Sequence, residues 1–155
     1  MTDELGLEGI YGATIQRIEA QGEYKSRLGM GALMCIGYSE RLLKVGEFCH
    51  APAVELGTTD FNASNIPSIT TLGSFCQGLI IVDKEASNMR LIHFTLKEYF
   101  SAHPDIFGKP HSAMAEICLT YVNSQPVKAF SGLSIDDIFD DPYTDSMIYL
   151  ITCPF

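Results

Sequence analysis

Apolar residues recur at three-and-four spacing along most of this chain, and that period predicts helices. Leu7, Ile10, Tyr11, Thr14, Ile15 and Ile18 place a helix over residues 5–20, closed by Gln21-Gly22. Leu28, Ala32, Leu33 and Ile36 predict a second helix over 23–38, and residues 41–44 read as a short extended link. Val45, Phe48 and Cys49 begin a third over 45–54, which Pro52 should kink or end early because it removes an internal hydrogen bond. Residues 56–65 are polar and turn-rich. Ile69, Leu72, Phe75 and Cys76 mark a fourth helix over 67–76, with Pro67 in its first turn.

The period then switches to a strand-like run, Leu79-Ile80-Ile81-Val82. A polar turn at 83–88 and a second extended run at 89–94 complete a hairpin. Thr95-Leu96-Lys97-Glu98 fits a capping box, with Thr95 as the N-cap and Glu98 reaching back. Leu96, Tyr99 and Phe100 form the apolar face of that helix, and His103-Pro104 ends it. Ser112 is placed to cap a last helix carrying Met114, Ile117, Cys118, Tyr121 and Val122. Residues 136–143 are acidic and turn-like, and 147–151 are a short apolar run. The expected fold class is mainly α with a small β-hairpin. Without its first and last helices the order is that of a winged helix.

Composition agrees with a folded domain. At 46% hydrophobic and 19% charged, the chain suits a packed core better than a disordered segment. No apolar run approaches the ~18–20 residues of a membrane span, and residues 1–4 lack the basic and apolar regions of a signal peptide. A cytoplasmic location is expected.

The net charge of −9 is unevenly placed: residues 131–155 carry five Asp and no Lys or Arg. An acidic surface repels phosphate backbones, which argues against nucleic acid as a partner. The five cysteines have irregular spacing and no C-x-x-C, so they read as reduced, buried thiols and not as a zinc site. No G-x-x-x-x-G-K-S/T phosphate loop and no G-x-S-x-G elbow occurs. Gly6, Gly9, Gly12, Gly29 and Gly31 read as close-packing positions or drift within helices. Cys49-His50 is no dyad, since neighbours on a helix point apart. No catalytic residues are expected, and the chain is expected not to be an enzyme.

Five stretches carry a family resemblance: "IYGATIQRIEAQ", "SERLLKVGEFCHAPAVE", "NIPSITTL", "CQGLIIVDKEASNMRLIHFTLKEYFSAHPDIF" and "HSAMAEICLTYVNSQ". Over residues 7–128 the chain resembles the winged-helix domain of the GPI inositol-deacylase type that follows the NACHT domain in fungal NLR-like STAND NTPases. The domain's name does not imply deacylase activity. The resemblance divides the chain into a helix from the end of the NACHT or linker region (1–22), the winged-helix domain (23–104), the start of a following helical region (105–128) and a divergent acidic tail (129–155). It implies a fragment without the NTPase core. Cys35 stands where relatives commonly carry Trp, Pro52 where Leu is usual, Gly46 where an acid is usual, and Lys97 where Gln is frequent.

The resemblance also implies a site. In such NTPases a histidine in the motif H-x-T-x-x-E-F/Y reaches the phosphates of bound ADP and holds the closed, inactive state. The matching residues are His93, which would contact the ADP phosphates only in the context of a NACHT domain, and Thr95, Glu98 and Tyr99, which form the structural part of the motif. The implied function is a non-catalytic regulatory module that restrains a nucleotide-dependent switch through contacts between domains. Its partners would be the NACHT domain and neighbouring helical repeats. ADP or ATP would bind the parent NTPase, and this chain itself would hold no cofactor and no metal. The alternative is an inert or protein-interaction fragment. A DNA-binding winged helix is disfavoured, because residues 62–78 contain no Lys or Arg.

Overall fold

A computed structural model describes residues 2–58 and 62–124. The helices are α1 (Thr2–Glu19), α2 (Glu23–Tyr38), α3 (Val45–His50), α4 (Ile69–Phe75), α5 (Phe94–Ala102) and α6 (Pro110–Asn123). Strands β1 (Leu43–Lys44), β2 (Ile80–Asp83) and β3 (Asn88–Leu91) form one antiparallel sheet in the order β1-β3-β2. The chain is therefore mainly helical with a small sheet. The hairpin pairs Val82 with Met89 and Ile80 with Leu91, and β1 joins its far edge through Leu43 opposite Met89.

Helix α2 is the central element, with apolar residues on opposite sides. Leu28, Ala32 and Leu33 pack with Ile18 of α1, Phe48 of α3, Leu72 of α4, Met89 of β3, and Leu96 and Phe100 of α5. Met34 and Cys35 face a second cluster made by Leu43, Ala51, Val54 and the α6 residues Met114, Ile117 and Tyr121. Burying each large apolar side chain contributes about 1.5–3 kcal/mol. Both clusters therefore hold α2 in place.

Glycines set how closely the elements approach. A Cβ on Gly29 would stand 2.9 Å from the Phe75 carbonyl oxygen, and one on Gly37 would stand 2.9 Å from the Phe100 ring. Gly31 lies against Pro52 and Gly12 against the Tyr99 hydroxyl. The close-packing reading thus holds for Gly12, Gly29 and Gly31. Gly6 and Gly9 have nothing near their Cβ positions. Gly22 separates α1 from α2 at φ 97°, a conformation that glycine adopts freely. Beside it, the Gln21 side-chain amide donates to the Phe75 carbonyl at 2.8 Å and ties this turn to the end of α4.

Several expected boundaries move for local reasons. Helix α3 stops at His50, and Pro52 sits in a 3-10 turn over Ala51–Ala53. Helix α4 starts at Ile69, because the Ser68 hydroxyl accepts the Thr71 amide and caps it there, leaving Pro67 outside. Helix α6 begins at Pro110, not after Ser112; proline fits the first helical position, where its missing N–H is no loss. No described helix is long and apolar enough to cross a membrane. The acidic run at 136–143, the apolar run at 147–151 and Cys153 lie outside the described residues.

Candidate functional site

His93 stands where the hairpin hands over to α5. Its backbone is extended, at φ −146° and ψ 147°, and its carbonyl accepts the first bond of the helix from the Leu96 amide at 3.2 Å. His93 is therefore the N-cap of α5, and its side chain makes no capping bond. This corrects the capping box expected at Thr95. Thr95 lies inside the helix, and its hydroxyl is paired with the Tyr11 hydroxyl of α1 at 2.8 Å. A tertiary partner 84 residues away takes the group that the local pattern assigned to a cap.

The imidazole of His93 is solvent-exposed, as is the neighbouring Phe94, whose relative exposure is 72%. Both line an open groove of about 380 Å³. Ile36, Ser39 and Glu40 from the end of α2, Arg41 and Leu42 before β1, Arg90 and Leu91 from β3, and Lys97 complete its walls. His93 and Lys97 are four residues apart and so share one side of α5. Arg90 faces solvent because its neighbour Met89 faces the core, as alternation along a strand requires. The Lys97 ammonium donates to the Ser39 carbonyl at 3.4 Å. Three of the chain's ten Lys and Arg thus line one groove of an acidic protein.

Arg41 is anchored from behind. Its guanidinium donates to both carboxylate oxygens of Glu47, at 2.9 and 2.6 Å. Glu47 is fully buried, and it also accepts the Lys44 amide at 2.8 Å at the start of α3. A fork-to-carboxylate pair fixes the guanidinium plane as well as its position. Sequence reasoning missed Glu47. The available signal was an acid three residues after a helix N-cap, in reach of an arginine before it.

The four motif residues do not share a site. His93 opens onto the groove with Arg90 and Lys97, while Thr95, Glu98 and Tyr99 line a different groove against α1, together with Leu7, Glu8 and Tyr11. The Tyr99 ring packs on Tyr11, with centroids 5.6 Å apart. These three positions fall on one face of α5, and that face docks α1.

The remaining candidate chemistry is structural. Cys49 belongs to the first buried cluster, while the adjacent His50 ring packs on Tyr121 of the second at 6.3 Å and its Nδ1 lies 2.7 Å from the Gly46 carbonyl. The two neighbours do point apart. Burial pushes the Cys49 thiol up to about 11 and the Cys76 thiol up to about 12. A thiol so raised is a poor nucleophile at neutral pH. Among the described residues no group of three His, Cys, Asp or Glu could hold a metal ion.

Compared with family models, with curated proteins and with solved structures, the chain matches none.

Proposed function

We propose that this chain is the non-catalytic regulatory winged-helix module of a NACHT-type STAND signalling NTPase, and that it restrains the nucleotide-dependent switch through contacts between domains. The observation that supports this reading best is the setting of His93. An exposed imidazole at a strand-to-helix junction sits with Arg90 and Lys97 in one groove, on a chain whose net charge is −9. Such a local field favours an anion against the trend of the whole surface. A phosphate presented by a neighbouring domain is an anion of the right kind. Contact with it would favour only the arrangement in which this module faces the nucleotide, which is the differential interaction that a switch requires.

DNA reading is disfavoured by the same charges. Helix α4, the groove-entering helix in a DNA-binding winged helix, carries no Lys or Arg, and the turn after β2 offers Lys84 beside Glu85. A second reading, a protein-interaction module with no nucleotide nearby, draws on the exposed apolar pair Leu42 and Phe94, at 58% and 72%. The two readings separate in a binding experiment. The chain is titrated with a NACHT nucleotide-binding domain loaded with ADP, and again with a non-hydrolysable ATP analogue. Preference for the ADP form that is lost in His93→Ala supports the switch reading. Equal affinity for both forms, unchanged by His93→Ala, supports interaction alone.

A further inference from the structure

The groove beside His93 has a complement within the same chain. Residues 135–141 read Ile-Asp-Asp-Ile-Phe-Asp-Asp, so Ile135, Ile138 and Phe139 are interleaved with four carboxylates. The groove presents the opposite charge beside the same apolar character: Arg90 and Lys97 next to exposed Leu42 and Phe94. We propose that the acidic segment 135–141 docks in this groove and occupies it in cis, as an internal competitor of any anionic partner.

Charge complementarity selects this occupant. The region 131–155 carries five Asp and no Lys or Arg. Among the described residues the groove gathers three basic side chains, one of them held to Glu47, and one exposed acid, Glu40. Reach permits it. The described chain ends at Ser124. An extended chain spans about 40 Å from there to Asp136 and about 60 Å to Asp141. A domain of this size is about 35 Å across. Tethering raises the segment's effective concentration to about the millimolar range, so even a weak contact is occupied. The contact goes beyond the switch reading, since it requires no second domain.

The test is zero-length carbodiimide cross-linking of the full chain, mapped by mass spectrometry on an equimolar mixture of isotopically light and heavy protein. The expected result is Lys97 joined to Asp136, Asp137, Asp140 or Asp141 within one chain, in excess over links from Lys25 and Lys84. Raising the salt to about 1 M, where screening acts within about 3 Å, should reduce that link several-fold. Arg90→Glu, an exposed position, should reduce it as well while circular dichroism stays unchanged. Links between light and heavy chains would assign the groove to a second copy and overturn the proposal. Lys97 joined only to Glu40 or Glu98, or a segment linked equally to every lysine, would overturn it too.

Discussion

Replacing Gly29 with alanine puts a methyl group 2.9 Å from the Phe75 carbonyl oxygen and 3.2 Å from the Ile18 side chain. The carbonyl belongs to the backbone at the end of α4, so it cannot rotate aside. It also accepts the Gln21 side-chain amide at 2.8 Å, and moving it strains that bond. Overpacking of this kind costs about 1–3 kcal/mol, and the lost hydrogen bond about 0.5–1.5 kcal/mol. Removing a mid-helix glycine returns about 1 kcal/mol. The balance is a net loss of about 0.5–3.5 kcal/mol, or a fall in Tm of roughly 1–14 °C for a chain of this length. Gly9 supplies the control. It lies in α1, is exposed, and has nothing within 4 Å of its Cβ position. Gly9→Ala should therefore raise Tm by about 2–4 °C, for a gain of up to about 1 kcal/mol. Thermal unfolding followed by far-ultraviolet circular dichroism measures both. If Gly29→Ala stabilises the protein as Gly9→Ala does, α2 and α4 do not approach as described, and the account of the core fails with them.

Other expectations test the contacts that hold the fold together. Arg41→Met strands the buried Glu47 carboxylate and should cost about 3–5 kcal/mol, whereas Arg41→Met with Glu47→Met should recover much of that loss in urea unfolding. Tyr11→Phe and Thr95→Val should each cost about 1 kcal/mol; the double variant should lose less than their sum, since both remove one hydroxyl pair. Cys49 and Cys76 should resist a thiol reagent at neutral pH until urea unfolds the chain. Their folded values, about 11 and about 12, lie above the ordinary 9.0. Above pH 9 the unfolded state therefore loses protons that the folded state keeps, and stability should fall as pH rises through that window. Equal unfolding midpoints at neutral pH and pH 10 would contradict the burial of both thiols.

The helices and the hairpin were legible because they rest on local period. Residues 23–38 form α2 where the four-residue repeat of Leu28, Ala32 and Ile36 set it. Turn chemistry was legible at Gln21-Gly22, where the Gly22 φ is positive. What local reading missed depended on partners far along the chain. The Thr95 hydroxyl looked like a cap until Tyr11 took it, and His93 became the N-cap by its backbone alone. Within the motif H-x-T-x-x-E-Y, the helical turn sends His93 and Lys97 to one groove and Thr95, Glu98 and Tyr99 to another. Glu47 was legible only in part: its place three residues after the N-cap marks a capping acid, but its full burial comes from the packing of α3 against the core. The grouping of Arg41, Arg90 and Lys97 came from the sheet, which sets β3 beside the end of α2.

The proposed role stands most directly on one binding constant. In a NACHT-type NTPase that carries this module, ADP affinity is measured for the wild type and for His93→Ala. One charge-assisted hydrogen bond contributes about 1.5–3 kcal/mol, so His93→Ala should weaken ADP binding roughly 10- to 100-fold and raise basal signalling. Unchanged ADP affinity, with the variant folded as the wild type is, would remove His93 from the switch and contradict the account.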